Sequence, residues 1–592
     1  MSPPLGARAP LLLFLLCVPS ACCVGAARVG APRAVAAAPA ARSFSASACS
    51  DAGCELRETG GAVGVTEVAV ARYVASEGKI GWNQFDVSTV SGAASAGVQA
   101  FAAGFLEGTL TADVIAQTAR NTVAYFASSG VAGAEFPSAN VTAFLLDQAH
   151  WAREQVAAAG IALEDCSPPT ASASAGAATS SDGTRWSAVC VVLRQLDGLQ
   201  KGYGAASNAS FATGSALLDV LTLNAVGDLF QIMPAVDPSA RVDWQRLAKD
   251  NPLEALAQLR RREHCSGLVR VTDDYGELYF AHSSFFTFGN MLRIYKHYDV
   301  PADGSGARRR LSFSSYPGYL ESLDDFYVAD SNLAMVQTSN NVLNASMLEL
   351  VTPHSLLAWQ RVRVSMALAQ SGQAWCDTMR FHASGTYANQ YMVVDLNKFT
   401  PHHPLEDGTL WVCEEAPGLL PAADMTPQLA RGYWPSYNRP YFDSVWSQSG
   451  YGEMERRMGA NFSYALAPRA KIFRREAPRV ANLEGMKRIM RLNVPGDPYS
   501  EGKFSNAICA RGDLDEPAEL GGCYDSKISS ATMARRLTSV AINGPTAQGV
   551  PAFQWSKLSQ AEQDSCAHEG QPDRFDFDWM VMQPTPLVRA AM

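Results

Sequence analysis

The chain has 592 residues, of which 47% are hydrophobic and 18% are charged, a composition typical of a folded globular protein with room for two or more domains. The formal net charge is −9 and no long basic run occurs, which argues against a nucleic-acid-binding protein. We therefore expect no nucleic-acid partner.

The first 26 residues have the pattern of a secretory signal peptide. Arg8 lies in a short basic region, residues 11–18 are apolar, and Ala26 ends a small-residue cleavage site. The apolar run is too short to span a bilayer, and no later stretch reaches about 18 uncharged apolar residues, so we expect no transmembrane segment. The sequence thus predicts a lysosomal or secreted protein.

Residues 27–60 are predicted to be a disordered leader, because their Ala, Pro, Arg and Ser content offers little apolar surface to bury. Ten of the 13 cysteines remain after signal removal, and in an oxidising compartment some of them will pair. None has the close spacing of a zinc site, so we expect no metal and no cofactor. Four sequons predict N-glycosylation, at Asn140, Asn208, Asn344 and Asn461.

Helical and strand patterns are mixed along the chain. Helices are predicted over 95–159, 186–202, 285–298 and 356–370, and strands over 65–70, 268–271, 277–282, 326–328, 333–338, 391–395 and 410–412. A Ser/Ala-rich loop covers 166–185. Because regular βαβ alternation is missing, the pattern favours an α+β fold with stacked layers over a doubly wound parallel sheet.

The stretch 265–282 reads as a β-hairpin with chemistry at both ends. Cys265 starts its first strand and His282 ends its second, with Asp273, Asp274 and Gly276 in the turn. A nucleophilic hydrolase could use such a pair, and an ordinary buried cysteine would give the same pattern. The Arg-rich segment 259–264 comes directly before the hairpin, where exposed and cleavable backbone is expected.

Several motifs recur in one order and together carry a family resemblance. They include HCSGLV at 264–269, AHSSF at 281–285, RIYKHYD at 293–299, SGTYANQ at 384–390, YWPSYN at 433–438 and PRAKIF at 468–473. With these motifs the chain resembles the phospholipase B-like proteins, also called the lamina ancestor group, from about residue 60 to the C-terminus.

The resemblance implies an N-terminal-nucleophile hydrolase fold, a four-layer αββα sandwich with two stacked antiparallel sheets. It also implies a precursor cut between His264 and Cys265. The fragments 61–264 and 265–592 would stay together as one folded unit, and a homodimer is left open.

Cutting before Cys265 would place a free α-amine beside the thiol. The amine titrates near 7.7 and the thiol near 8.5 in unperturbed peptides, so the amine can act as a general base. In an acidic lumen it would be mostly protonated unless burial or a nearby cation lowers its pKa. We therefore expect a partly buried site that carries positive charge.

The resemblance supplies three further site candidates and the strand ending at 338 a fourth, each with a structural alternative. His282 could reach the thiol or the substrate, or be a hydrogen-bonded core histidine. Asn438 could donate its amide to an oxyanion, or form a turn before Arg439. Arg469 could stabilise the thiolate, or form a surface salt bridge. Thr338 could orient the site by hydrogen bonding, or serve only as a β-branched strand residue.

Two other patterns are expected to be structural. Arg511-Gly512-Asp513 matches an adhesion tripeptide but lies inside a family motif, flanked by Cys509 and Cys523, which are candidates for a disulfide. His402 and His403 are adjacent in a proline-bounded loop without an evident third ligand, so metal binding is not expected there.

The function predicted at this stage is acyl transfer to water. Cys265 would attack the carbonyl of an acyl ester or amide, form a thioester and release the acid to water, with a phospholipid or an N-acyl amide as substrate. The family name implies removal of fatty acyl chains from phospholipids. The alternative is a catalytically silent lumenal glycoprotein of the same fold that binds lipid or protein.

Overall fold

The computed structural model describes residues 41–59, 66–128, 136–168, 180–206, 211–260, 262, 265–323 and 326–587. The predicted signal peptide, His264 and Asn208 lie outside these residues. The strands are β1 Ala41–Ser50, β2 Gly53–Glu58, β3 Ala69–Val74, β4 Asn83–Thr89, β5 Ser266–Val271, β6 Leu278–Thr287, β7 Ile294–Pro301, β8 Arg308–Ser315, β9 Phe326–Ala329, β10 Leu333–Ser339, β11 Asn389–Asp395, β12 Leu410–Glu414, β13 Ala422–Asp424, β14 Tyr433–Ser436, β15 Gly521–Ser530, β16 Ser539–Asn543, β17 Phe553–Gln554, β18 Arg574–Phe575 and β19 Met580–Met582.

Helices lie between and around these strands. They are α1 Glu77–Ile80, α2 Ala96–Leu110, α3 Ala112–Ser128, α4 Ala139–Ala158, α5 Ser180–Ala206, α6 Ala216–Asn224, α7 Val226–Val236, α8 Trp244–Asp250, α9 Pro252–Arg260, α10 Ala358–Leu368, α11 Gly372–Met379, α12 Thr426–Leu429, α13 Asp443–Gln448, α14 Tyr451–Met458, α15 Pro468–Glu476, α16 Leu483–Met490, α17 Ala531–Ala534 and α18 Gln560–Asp564. The helices predicted over 95–159, 186–202 and 356–370 are confirmed.

The larger sheet has eleven strands in the order β13-β12-β11-β10-β9-β8-β7-β4-β3-β1-β2. Strands β4 and β7 pair in parallel, and the other pairs in this sheet are antiparallel. The predicted disorder of the leader is wrong for 41–59, because β1 pairs with both β2 and β3 and a Cys49–Cys54 disulfide joins the first two strands. The backbone hydrogen bonds of β1 are supplied by its two neighbouring strands, which order this segment despite its composition.

The smaller sheet carries the predicted hairpin. Its order is β14-β5-β6-β15-β16-β19, all antiparallel, with Gly267 opposite His282 in the β5–β6 register. The helix predicted over 285–298 is wrong: this stretch ends β6, passes a short turn and begins β7. Both strands are buried on two faces, so their apolar run loses the period-two alternation of a half-exposed strand.

The two sheets pack face to face. Strand alternation sends Val269 and Phe280 of the smaller sheet into one apolar cluster with Val336 and Met392 of the larger sheet. Neighbouring residues on the hairpin, such as Leu268, point the other way, into a cluster with residues of α15 and α16. On the far side of the larger sheet, residues of α2, α10 and α11 cover the next cluster. Stacked sheets with helices outside agree with the expected α+β class, and assignment to the N-terminal-nucleophile fold stays a prediction.

Helices α2 and α5 approach each other at glycines. A Cβ on Gly104 would lie 2.0 Å from the carbonyl oxygen of Gln195, and one on Gly198 would lie 2.0 Å from that of Phe101. Such distances leave no room for any side chain, so the two backbones are in direct contact. Leu106 of α2 packs on the larger sheet, so this helix pair fixes the layer above it.

Among the described helices, none is by itself long and apolar enough to cross a membrane, although the bent pair α6 and α7 together reaches that length and composition. Three disulfides join described residues: Cys49–Cys54, Cys166–Cys190 and the predicted Cys509–Cys523. The remaining described cysteines are buried thiols, at Cys265, Cys376, Cys413 and Cys566.

Candidate active site

Cys265 lies directly before β5 and is almost completely buried, with 3% of its surface exposed. Its backbone φ is +86°, a conformation that side-chain-bearing residues rarely adopt. A strained backbone of this kind persists only where surrounding contacts hold it in place. The neighbouring side chains explain what holds it.

Arg469 is the main contact of this residue. The guanidinium lies at the start of α15, where its Nη1 donates to the Cys265 carbonyl oxygen at 2.5 Å and to Ser266 Oγ at 3.3 Å. Phe285 of β6 lies under the guanidinium, with the ring centroid 5.3 Å from Cζ. Because Arg469 is 8% exposed, the surface salt-bridge alternative is wrong. The site is buried and carries a cation, as the chemistry required.

Asn438 joins Arg469 to the larger sheet. Its Oδ1 accepts from Arg469 Nη2 at 2.6 Å, and its Nδ2 donates to the Ser339 carbonyl oxygen at 2.6 Å. The backbone φ is +65°, a region that asparagine tolerates better than most residues. Asn438 therefore sits in a turn, as its structural alternative predicted, and its side-chain oxygen meets the arginine that binds Cys265. Donation of its amide to an oxyanion stays a prediction.

Thr338 contacts the Asn438 turn through its hydroxyl group. Its Oγ1 lies 2.7 Å from Ser436 Oγ and accepts from the Asn438 backbone N–H at 3.4 Å. The hydroxyl therefore fixes β14 and the Asn438 turn against β10. The structure brings Cys265, Arg469, Asn438 and Thr338 into one connected group.

His282 belongs to a second polar group on β6. The ring is fully buried, and its Nδ1 lies 3.1 Å from Lys527 Nζ on the neighbouring strand β15. A buried ring with a hydrogen-bond partner in the same sheet agrees with the alternative that His282 is a hydrogen-bonded core histidine. The sequence pattern did not single out Lys527, since a lysine in an apolar strand has no local motif around it.

Cys265 lines a small cavity that shares two wall residues with a larger one. The smaller one, of about 20 Å³, is lined by Cys265, Ser284, Phe285 and Phe286, among others. The larger one, of about 380 Å³, shares Phe285 and Phe286 and also includes Arg469. Its further lining includes Tyr125, Leu256, Tyr437, Leu520, Arg439 and Asn506. Its volume lies within the range of small-molecule sites, and Phe285 and Phe286 contribute aromatic wall.

The remaining predicted sites are distributed over the surface and the core. Asn140 and Asn344 are exposed, while Asn461 is half-buried and lines the larger cavity. Arg511 is buried and binds Asp513 through two hydrogen bonds of 2.7 Å, so this tripeptide is structural. No group of three potential metal ligands occurs in the part of the chain that the structure describes, His402 and His403 included.

Comparison with known proteins identifies the family. The family model described as Phospholipase B matches residues 69–582. The chain is 37% identical over 515 residues to phospholipase-B 81 of Drysdalia coronoides, covering 85% of this chain and 86% of that one. It is 39% identical to phospholipase B of Crotalus adamanteus over 490 residues, 82% of each chain. It is 42% identical to phospholipase B-like 1 of Bos taurus over 403 residues, 67% of this chain and 71% of that one. The chain belongs to the phospholipase B family.

Proposed function

We propose that this chain is a precursor hydrolase that is cut before Cys265 and then uses the Cys265 thiol to remove fatty acyl chains from phospholipids. The observation that carries the proposal is the Cys265 environment: a buried thiol on a strained backbone whose carbonyl oxygen accepts from a buried arginine. The thiol lines a small cavity that shares Phe285 and Phe286 with a larger one. The names of the relatives, which are phospholipases B, support the same substrate class.

Maturation would begin with attack by Sγ of Cys265 on the carbonyl carbon of His264. The S–C bond forms, the C–N bond breaks, and the thiol proton passes to the released α-amine. Water then hydrolyses the thioester, which frees the His264 carboxylate and restores the thiol. The positive φ of Cys265 supports this step, because strain in the peptide is relieved when the C–N bond breaks.

Turnover repeats the same chemistry on a substrate. The α-amine takes the thiol proton, and Sγ attacks the acyl carbonyl and releases the alcohol or amine that receives the proton. Water then cleaves the thioester, and the small cavity beside Cys265 has room for about one water molecule. We assign stabilisation of the oxyanion to the second N–H of the Asn438 amide, since the first donates to the Ser339 carbonyl oxygen. We assign Arg469 as the cation that favours the thiolate and the neutral amine.

This proposal includes the N-terminal-nucleophile sandwich as the fold and a lysosomal or secreted location. Face-to-face sheets flanked by helices support the first, and three disulfides support an oxidising compartment for the second. The phospholipid is preferred over an N-acyl amide on the relatives' names alone, because the same thioester chemistry serves both.

The first test is mass spectrometry of the mature protein. We expect a fragment whose N-terminal residue is Cys265, and expect it to be missing in Cys265→Ala. Cys376→Ala is the matched control, since Cys376 is also a buried cysteine outside the described disulfides but lies on α11, against the far side of the larger sheet. Recovery of only uncut chain, or of a cut elsewhere, overturns the maturation step.

The second test is turnover at acidic pH on phospholipid and N-acyl amide panels. We expect wild type and Cys376→Ala to release fatty acid from phospholipid, and Cys265→Ala to be inactive. Equal release by wild type and Cys265→Ala would leave a silent lipid- or protein-binding glycoprotein as the better account. Release from the amides alone would keep the nucleophile and change the substrate class.

A further inference from the structure

A buried charge cluster lies on the same sheet face as Cys265 and has no part in the function proposed above. Lys527, Asp525 and Arg293 each have 0% side-chain exposure. Lys527 Nζ lies 2.7 Å from Asp525 Oδ1, and Arg293 Nη1 lies 2.9 Å from Asp525 Oδ2. Two cations on one carboxylate leave an excess positive charge in the interior, an arrangement that burial opposes unless neighbouring groups accept hydrogen bonds from it.

Strand register places this cluster beside the thiol. Ser266 faces Ser283 and Gly267 faces His282, so one step further along the hairpin Cys265 faces Ser284. Ser284 in turn pairs with Asp525 on β15, next to Lys527. Side chains alternate along a strand, so these residues share the face that looks toward the larger sheet. Cys265 and Ser284 line the same small cavity.

The lysine ammonium determines which way its neighbours' hydrogens point. An ammonium donates hydrogen bonds and accepts none. Lys527 Nζ lies 2.5 Å from Ser284 Oγ and 3.1 Å from His282 Nδ1, so both atoms act as acceptors. The hydroxyl hydrogen of Ser284 must therefore point away from Lys527, and the neutral ring of His282 must carry its hydrogen on Nε2.

We propose that Lys527 is a positioning residue that orients Ser284, and that the Ser284 hydroxyl donates a hydrogen bond across the small cavity to the Cys265 thiolate. The inference rests on the proposed function, because it concerns the same nucleophile. It also assigns the base: His282 Nδ1 and Ser284 Oγ are already acceptors for Lys527, so the proton of the thiol goes to the α-amine. A donor aimed at the sulfur favours its ionised form and raises the thiolate fraction at acidic pH.

The test is the pH profile of alkylation of the mature enzyme. Wild type, Ser284→Ala, Ser284→Thr and Ser283→Ala are treated with iodoacetamide from pH 4 to 9, and modification is read on the peptide that starts at Cys265. We expect Ser284→Ala to raise the apparent pKa of the thiol by about one unit and to lower kcat about tenfold with little change in KM, as loss of a hydrogen bond to a charged group predicts. Ser284→Thr, which keeps the hydroxyl, should restore both values.

Ser283→Ala is the matched control. Ser283 is the same residue type, equally buried, on the opposite face of the same strand, where its Oγ bonds Ser526 Oγ and the Met490 carbonyl. An alkylation profile of Ser284→Ala that coincides with those of wild type and Ser283→Ala overturns the inference. If Ser284→Ala is not cut at all, the extent of cutting becomes the measurement, and failure of Ser284→Thr to restore it overturns the inference as well.

A separate experiment tests the role of Lys527. In a Lys527→Met background the orientation is lost, so Ser284→Ala should change the profile far less than it does in wild type. If the pKa changes caused by Lys527→Met and Ser284→Ala simply add in the double variant, the orienting role of Lys527 is rejected. If Lys527→Met does not fold, the Ser284 variants alone decide the inference. Cys265→Ala separates the two proposals: equal turnover with wild type rejects the proposed function, whereas an active wild type with an unaltered Ser284→Ala rejects only this inference.

Discussion

Arg469 connects more of the candidate site than any other side chain described above. One guanidinium nitrogen binds the Cys265 carbonyl and the other binds Asn438. A lysine is a point charge and cannot hold both acceptors in this fork, so Arg469→Lys should lower phospholipid hydrolysis about 100-fold. The initial rate of fatty acid release from phospholipid measures this.

Arg474→Lys is the control for that substitution, because Arg474 lies on the same helix but is exposed. Its activity should remain close to that of wild type. If Arg469→Lys retains full activity, the two hydrogen bonds of Arg469 to Cys265 and Asn438 serve only the fold, and Arg469 has no role in stabilising the thiolate.

Asp228 makes a residue-scale prediction about pH. Burial raises the pKa of this carboxyl from 3.8 to about 6, although it accepts hydrogen bonds from the Ala358 N–H and the Thr386 hydroxyl. Between pH 3.8 and about pH 6, Asp228 is therefore protonated in the folded state and ionised in the unfolded state. Stability is highest below pH 4 for this group and falls as pH rises to about 6, by roughly 3 kcal/mol in total.

Asp228→Asn should remove this part of the pH dependence. The amide keeps an oxygen for both donors and does not ionise, so the thermal midpoint should fall less between pH 4 and pH 7 than in wild type. Asp443→Asn, at an exposed position, is the control. Equal slopes in wild type and Asp228→Asn would mean that Asp228 is ionised in the folded protein across this range.

The sequence located one half of the site at residue scale and missed the other. Cys265, Asn438 and Arg469 could be named in advance because each lies in a motif that is readable from the chain, and Thr338 because it lies on a predicted strand. Ser284 lies in the AHSSF motif at 281–285, but only strand register distinguishes it from Ser283, and Lys527 lies in no motif. Pairing of β15 with β6 brings Lys527 to His282 and Ser284, although 245 residues separate it from His282.

At the scale of elements, local sequence patterns predicted the long helices, the hairpin and strands β9 to β12, but missed the end of β6 and the start of β7. Helix α5 carries its own signal because its apolar residues recur on one face. The start of β7 does not, because its partners are β4, far upstream, and β8. Strand β1 is the clearest case: its composition predicted disorder, and pairing with β3 overrides that preference.

The helix pair α2 and α5 gives a prediction at this scale. Gly104→Ala puts a Cβ 2.0 Å from a carbonyl oxygen, so the helices must separate and lose contact along their length. We expect destabilisation of about 1–3 kcal/mol or more, seen as a lower thermal midpoint. Gly204→Ala, at an exposed position on α5, should lower the midpoint far less, because its Cβ would meet only the Cβ of Ala216, at 3.3 Å, and alanine is the better helix former.

At the scale of the whole molecule, the proposed cut falls between strands that share sheets. Strands β1 to β4 come before residue 264 and form one end of the larger sheet, where β4 pairs with β7 from after the cut. Strand β5, which would begin at the new N-terminus, lies between β14 and β6 inside the smaller sheet. Breaking one peptide bond removes none of these ladders.

The two fragments should therefore remain one particle after the cut. Gel filtration in native buffer should give a single peak containing both, at the elution volume of uncut Cys265→Ala, and only denaturant should separate them. Fragment release would expose the β4 and β7 edges and the apolar cluster beneath α2. Exposing that much hydrophobic surface to water is unfavourable. Separate elution of the fragments in native buffer would contradict this, and would mean that the sheet shared by β4 and β7 is not what holds the mature protein together.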